Sequence, residues 1–150
     1  MLVVSDKWWE QIPLHEMPPD KWEELCDGCG KCCLTKILYE NGNVKACKIG
    51  CQLLDIKTAR CRDYSNRQKI VKNCHLITLN NIDDPGFLPD TCAYKLLKHG
   101  KPLHDWHHLI SGSRDNVMEA GVSVVGYVEF NEDTIGVNQV YKYLDSAIDY

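Results

Sequence analysis

Four cysteines fall within the eight residues 26–33, spaced as Cys-x2-Cys-x2-Cys-Cys. Thiolate sulfur is a soft ligand that suits zinc, copper(I) and iron–sulfur clusters. A Cys-x2-Cys step lets two sulfurs reach one metal. The intervening Gly28 and Gly30 permit positive φ angles and leave main-chain N–H groups free to face the sulfurs. Residues 26–33, called the cysteine loop below, therefore predict a metal-binding site.

Two metal assignments compete for this loop. A structural zinc site joins two Cys-x2-Cys steps about 15–20 residues apart. Here three thiols recur at three-residue spacing, as in the run that holds three corners of a [4Fe–4S] cluster in bacterial ferredoxins. Adjacent Cys32 and Cys33 do not easily bind one tetrahedral ion, so they serve two sites or divide into a ligand and a packing residue. The spacing favours one [4Fe–4S] cluster held by Cys26, Cys29, Cys32 or Cys33, and a distant cysteine, with zinc as the alternative.

Length and composition limit the class of protein. A chain of 150 residues predicts a single domain, 1–150, with one core of ordinary size. The net charge of −4 argues against a general nucleic-acid binder, which usually carries a basic face. No apolar run approaches the roughly 20 residues that span a bilayer. We therefore expect neither nucleic acid nor membrane as a partner, and leave open an unknown protein partner.

The nine cysteines bear on the compartment. The N-terminal residues lack a basic segment, a long apolar run and a small-residue cleavage site, so we expect no secretion. An odd cysteine count without an export signal favours reduced thiols in a cytoplasmic protein. A disulfide scaffold is the alternative.

Local signals predict the elements that position the cysteine loop. Residues 5–25 read as two short helical pieces divided by Pro18 and Pro19, with Asp20 capping the helix that leads into the loop. After the loop, residues 36–45 predict a β-hairpin because Asn41-Gly42 is a strong type I′ turn signal.

The second half predicts further short elements. Residues 75–90 read mostly as loop, and residues 88–100 as a helix capped by Asp90 or Thr91, with Cys92 in its first turn. Helices are expected at 114–120 and 138–149, and a strand at 123–130. The predicted fold is a small, irregular α+β single domain with short helices and a few short strands. Its cysteine-rich half is held by metal rather than by a large core.

The order of the remaining cysteines and their neighbours is recognisable. The matching positions are 25–33, 51–58, 60–64, Arg67, Cys74, 88–94, 106–107 and 112–113. This pattern resembles the CxxCxxCC family of zinc- or iron-chelating domains, most closely its YcgN-like branch of bacterial proteins. The match covers most of the chain and weakens after about residue 125.

The resemblance implies eight ligand cysteines. They are Cys26, Cys29, Cys32, Cys33, Cys51, Cys61, Cys74 and Cys92. Cys47 is an extra, in a small insertion relative to the family pattern. Its expected role is apolar packing, and recruitment as a ligand is the alternative, because Cys47 and Cys51 would share one face if that stretch were helical. Three arginines either offset thiolate charge or are solvated or paired with carboxylates: Arg60, Arg62 and Arg67.

Three histidines follow the last of these cysteines. His104 and His107 form a His-x2-His pair, and imidazole suits zinc or iron. No His-Glu-x-x-His pattern accompanies them, so no catalytic metal geometry is predicted. His107 matches the family, which suggests an outer contact of the metal site or an occasional ligand.

Three classes of function follow. The first is a metal-binding redox, sensing or accessory module. The second is a cluster-linked methyl-transfer enzyme, because flagellin lysine methylases carry a similar cysteine cluster. The third is a structural-zinc module for protein interaction. The chain has no recognisable catalytic motif and no glycine-rich nucleotide loop after a strand, so an enzyme is the less favoured interpretation.

Overall fold

The computed structural model describes residues 6–150 as short helices and short strands joined by long irregular segments. The α-helices are α1 (Trp8–Gln11), α2 (Pro19–Glu24), α3 (Arg67–Ile70), α4 (Ala93–Lys98), α5 (His108–Ser111), α6 (Asn116–Glu119) and α7 (Val137–Val140). The strands are β1 (Leu34–Leu38), β2 (Val44–Gly50), β3 (Leu54–Asp55), β4 (Arg60–Cys61), β5 (Phe130–Asn131) and β6 (Ile148–Asp149). Single turns of 3-10 helix occupy Leu14–Glu16, Lys31–Cys33, Tyr64–Asn66, Glu132–Thr134 and Tyr141–Tyr143. The α+β class is confirmed.

The predicted hairpin is present and longer than expected. Strands β1 and β2 pair antiparallel around the Asn41-Gly42 turn, where the Tyr39 N–H donates to the Asn43 carbonyl at 2.8 Å. Gly42 has a φ of +89°, which the turn requires and glycine allows. The hairpin begins immediately after the cysteine loop.

Strand β2 organises the main sheet. It pairs with β1 along one edge, in parallel with β5 at Gly50, and antiparallel with β6 at Ala46. A separate two-stranded sheet joins β3 and β4. Through its pairing with β6, the hairpin holds the C-terminal residues next to the cysteine-rich half of the protein.

Two small hydrophobic cores lie on either side of the cysteine loop. The first core contains Trp9, Leu25, Ile82, Leu88, Ala93, Tyr94, Leu96 and Leu103. The second core contains Leu34, Ala46, Leu54, Ala59, Val124 and Val128. Leu25 directly precedes the loop and Leu34 directly follows it, so the loop is the covalent junction between the two cores.

The C-terminal predictions were wrong. Residues 138–149 do not form one helix: α7 ends at Val140, a 3-10 turn follows, and β6 pairs with β2. Edge pairing with β2, extended by the Tyr150 N–H to the Val44 carbonyl at 3.0 Å, replaces the helix. The predicted strand 123–130 is reduced to β5, because Gly126 has a φ of +86° and turns interrupt the segment.

Two predicted helix starts were also wrong. Helix α2 begins at Pro19 with Pro18 in the capping position, so Asp20 lies inside its first turn. Helix α4 begins at Ala93 with Cys92 in the capping position, and neither Asp90 nor Thr91 caps it. Proline is pre-organised for a first helical position, which explains the first shift.

The irregular segment at 75–90 is confirmed, since its described residues form turns without helix or strand. No helix within residues 6–150 is long and apolar enough to cross a membrane.

Candidate metal centre

The conformation of the cysteine loop depends on two glycines and one buried carboxylate. Gly28 and Gly30 have φ angles of +74° and +78°. Between them, the Cys29 N–H donates to Asp27 Oδ1 at 2.9 Å. A Cβ built on Gly30 would lie 2.7 Å from Val124 Cγ2. Position 30 therefore requires glycine both for its backbone conformation and for space.

The Cys29 sulfur accepts the main-chain N–H of Lys31, the residue two positions further along the chain. Burial raises the pKa of Cys26, Cys51 and Cys92, and the main-chain N–H two positions further along, of Gly28, Leu53 and Tyr94 respectively, offsets part of that rise. The Lys31 nitrogen lies 3.5 Å from the Cys29 Sγ. Hydrogen bonds to sulfur favour the thiolate over the thiol, and they tune sulfurs that bind metals.

The eight predicted ligand cysteines divide into two neighbourhoods. The first thiol group is Cys26, Cys29, Cys32 and Cys92. The second thiol group is Cys33, Cys51, Cys61 and Cys74. In the first, desolvation raises the pKa of Cys26, Cys29 and Cys92, and the nearby Cys32 sulfur adds to the rise in each case, after Asp27 at Cys29. In the second, desolvation raises the pKa of Cys51 and Cys74, and the Cys61 sulfur adds to both, while Cys32 acts more weakly on Cys74 from the first group.

The first thiol group is assembled by the first core. Cys32 and Cys92 both pack against that core. The Tyr94 hydroxyl, in α4, donates to the Trp22 carbonyl in α2 at 2.6 Å. Helix α2 leads into the cysteine loop and Cys92 caps α4, so this hydrogen bond ties the distant cysteine to the loop.

The second thiol group is assembled by the small strands. The Cys51 N–H donates to the Cys33 carbonyl at 2.7 Å, and both residues pack against the second core. Strand β3 pairs with β4, which ends at Cys61. The Gln52 side chain donates to the last carbonyl of α3 at 3.3 Å, and that helix leads to Cys74.

A cavity of about 710 Å³ opens beside the two thiol groups. Six of the eight cysteines line it: Cys26, Cys32, Cys33, Cys51, Cys61 and Cys74. All four members of the second thiol group are among them. Cys26 is exposed as a residue, yet protein atoms crowd its sulfur, and the resulting desolvation raises its pKa to about 11.

The adjacent cysteines are at the boundary between the two groups. The two neighbouring thiols interact, which lowers the pKa of Cys32 and raises that of Cys33. Within residues 6–150, no three or more His, Cys, Asp or Glu side chains stand in a geometry that could hold a metal. Rotation of these thiols about χ1 would therefore have to precede coordination.

His107 and His108 support the entry to the cysteine loop. His107 is buried, its Nε2–H donates to the Leu25 carbonyl at 2.9 Å, and its Nδ1 accepts the Leu109 N–H at 3.1 Å. Both ring nitrogens of His107 are thus used within the protein. His108 Nε2–H donates to the Glu24 carbonyl at 2.7 Å. The pair holds the residues just before Cys26, while His104 is exposed and stacks on Trp106.

Cys47 lies apart from both thiol groups. It is fully buried in β2, and desolvation raises its pKa. Its position is that of the apolar filler expected from the sequence. All nine cysteines are free thiols, so the disulfide-scaffold alternative finds no support.

Comparison with known proteins reveals relatives along nearly the whole chain. A UPF0260 protein of Mesorhizobium japonicum is 43% identical over 139 residues, which cover 92% of this chain and 94% of the relative. One of Cellvibrio japonicus is 43% identical over 144 residues, 95% and 97% of the two chains. A UPF0260 protein of Rhizorhabdus wittichii is 46% identical over 136 residues, which cover 89% of this chain and 92% of the relative. The chain belongs to the UPF0260 family.

UPF0260 relatives occur in several bacteria, which confirms the prediction that the chain belongs to a bacterial protein family. No protein-family profile and no solved structure matches the chain. The UPF0260 name specifies neither a metal nor a reaction.

Positive charge surrounds the thiols of this UPF0260 protein. The Lys36 ammonium donates to the Cys32 carbonyl at 2.9 Å, and the nearby sulfurs offset part of the desolvation that lowers its pKa. The Arg60 guanidinium covers Gly28. Arg67 lies beside Cys74, donates to the Tyr64 carbonyl at 2.6 Å and stacks on the Tyr64 ring at 3.7 Å.

Sequence reasoning identified two of these cations and missed the third. Arg62, the third arginine considered from the sequence, is exposed. Its main-chain N–H donates to the Leu53 carbonyl. Lys36 escaped notice because it was assigned to the hairpin. The register of β1 against β2 is irregular between Leu34 and Lys36, so the alternation of a strand gives no signal for the direction of the Lys36 side chain.

Proposed function

We propose that this UPF0260 protein is a cysteine-cluster metal-binding protein. Its centre is a [4Fe–4S] cluster, and it acts as a redox, sensing or accessory module. One observation carries the proposal: three cysteines distant in sequence, Cys51, Cys61 and Cys74, line the same cavity as Cys26, Cys32 and Cys33 of the cysteine loop. Apolar packing alone does not need six thiols around one cavity.

The thiol environment favours a bound cation. Desolvation raises the pKa of Cys29, and it raises the pKa of Cys92 to about 12. Such sulfurs stay protonated at neutral pH unless positive charge compensates the thiolate. A metal centre supplies that charge, and it explains why buried thiols, N–H donors and basic side chains occur together.

An iron–sulfur cluster fits the ligands better than a single zinc ion. The three-residue recurrence of Cys26, Cys29 and Cys32 matches the run that wraps a [4Fe–4S] cluster. The cavity of about 710 Å³ has room for a polynuclear centre. The likeness of the cysteine pattern to the CxxCxxCC family agrees with iron or zinc. Zinc is the competing outcome of the experiment below.

The chain's own residues would tune such a centre. A cluster supplies one-electron redox chemistry, whose potential depends on hydrogen bonds to sulfur and on solvent exposure. The N–H groups of Gly28 and Lys31 stabilise negative charge on the loop sulfurs. Lys36 and Arg60 offset part of the remaining charge. Free thiols suit a reducing compartment, so we assign the protein to the cytoplasm, where an accessory role requires a protein partner.

The test is the visible spectrum, metal content and labile sulfide of protein purified without oxygen. A cluster gives a broad brown absorbance near about 400 nm with about equal iron and sulfide. Cys47→Ser is the matched control, because it removes a buried thiol outside both groups and should leave the absorbance unchanged. Colourless protein with stoichiometric zinc would show that the centre is zinc and not an iron–sulfur cluster. Protein that takes up neither metal would overturn the proposal.

A further inference from the structure

We propose that the peptide bond between Cys32 and Cys33 is the boundary between two four-thiolate metal sites. The first site is formed by the first thiol group and the second site by the second thiol group. The inference rests on the proposed metal-binding function and specifies the number of centres and their ligands.

The packing of the adjacent cysteines is the first argument. Cys32 packs against the first core, as Cys92 does. Cys33 packs against the second core, as Cys51 does. Consecutive residues thus belong to different hydrophobic environments, each with its own distant cysteine. A single centre would have to draw both side chains to the same side.

Backbone connections are the second argument, because they tie each distant cysteine to its own half. Cys92 caps α4, which is bonded to α2 through the Tyr94 hydroxyl and the Trp22 carbonyl at 2.6 Å. Cys51 is bonded directly to the Cys33 carbonyl at 2.7 Å. Thus Cys92 is fastened to the helix that enters the loop, and Cys51 to the residue that ends it.

Each thiol group also has its own arginine. The Arg60 guanidinium covers Gly28, two residues after Cys26 in the first group. Arg67 lies beside Cys74 in the second group. Lys36 stands between the groups, since it interacts with both Cys32 and Cys33. The positive charge is therefore distributed over two sites.

Coordination chemistry then accounts for the number eight. A [4Fe–4S] cluster takes four cysteine thiolates, and so does a structural zinc ion. Four plus four uses every cysteine of the two groups and leaves only Cys47, which is buried in β2. The sites differ in access: all four second-group cysteines line the cavity, whereas Cys29 and Cys92 of the first group do not.

The experiment measures metal per chain in the wild-type protein and in one variant of each group. The protein is loaded without oxygen, once with ferrous iron plus sulfide and once with zinc alone. Two sites require about eight iron and eight sulfide, or two zinc, per chain. Cys29→Ser and Cys61→Ser should each lose half of the wild-type metal, and the double variant nearly all of it. Cys47→Ser should lose none.

Failure of this inference is distinct from failure of the proposed function. Wild-type protein that binds about four iron, or one zinc, has a single centre, which overturns the two-site inference and leaves metal binding intact. Wild-type protein that binds neither metal overturns both. The wild-type stoichiometry decides between one and two sites even if a variant does not fold. If both variants fold and either one retains full wild-type metal, the ligand division is wrong.

Discussion

At the scale of the residue, Gly30 lies between Cys29 and the Lys31–Cys33 turn, with a φ of +78°. Its Cα approaches the Val124 side chain so closely that a Cβ would meet Cγ2 at 2.7 Å. The Val124 N–H also donates to the Cys29 carbonyl at 2.8 Å, which holds the two segments together. The loop therefore cannot move away from Val124 without losing a hydrogen bond.

Gly30→Ala should destabilise the protein by about 2–5 kcal/mol, because a left-handed alanine costs about 1–2 kcal/mol and overpacking costs about 1–3 kcal/mol. It should also reduce the metal bound per chain. The matched control is Gly112→Ala, whose φ is +81° but whose Cβ would meet nothing within 4 Å. Urea unfolding measures both. Equal losses in the two variants would show that contact with Val124 does not matter.

The histidines show how far residue type alone can predict a role. Imidazole next to many cysteines suggested an outer contact of the metal site or an occasional ligand, and His107 uses both ring nitrogens on main-chain groups. The Leu25 carbonyl that it bonds is 82 residues away in the chain. A contact of that separation leaves no local signal in the sequence.

At the scale of the element, the turn that carries Cys51 is held by a strand from the far end of the chain. Asn131 in β5 is buried, and its side-chain amide donates to the Cys51 carbonyl at 2.8 Å and to the Leu54 carbonyl at 2.7 Å. Parallel pairing of β5 with β2 brings Asn131 opposite Gly50. A two-residue strand thus supports the backbone of the second thiol group.

Asn131→Ala should lower the free energy of unfolding by about 1–3 kcal/mol, because two buried carbonyls lose their donor. Metal bound by the second thiol group should fall, while the first group retains its metal. Metal analysis and urea unfolding measure these effects. Asn138→Ala is the control, since Asn138 is exposed and its loss should change stability by no more than about 0.5 kcal/mol. If both variants behave alike, the strand does not support the site.

Element prediction succeeded where the cause was local. The Asn41-Gly42 turn and the helix after Cys92 follow from turn chemistry and helix signals within a few residues. It failed at residues 138–149, where pairing of β6 with β2 stops the helix. That competition involves residues about 100 positions apart, so the local amphipathic pattern could not reveal it.

At the scale of the whole molecule, two small cores meet at the cysteine loop. Neither core has more than eight buried residues, and most helices span one turn. Small hydrophobic cores supply limited stability, and small metal-binding domains draw folding free energy from the metal. The proposed centres would therefore join the two hydrophobic cores as well as carry out redox chemistry.

Metal removal should consequently destabilise the whole fold. Apoprotein prepared anaerobically with a chelator should melt at least about 10 °C lower than the metal-loaded protein, a shift that corresponds to about 3–5 kcal/mol in a domain of this size. Circular dichroism against temperature measures it, and restoring iron and sulfide should restore the original melting temperature. An unchanged melting temperature in metal-free protein would mean that the cores suffice.

The sequence by itself determined the cysteine loop, its soft-ligand chemistry, its glycines and the hairpin that follows. These depend on residue type and short spacing, which are local properties. Only the tertiary structure decided which distant cysteines lie near which half of the loop, that Lys36 faces the sulfurs, and that His107 is bonded to Leu25. The reason is physical: these contacts arise when the two cores and the paired strands bring remote segments together, and no pattern along the chain encodes their pairing.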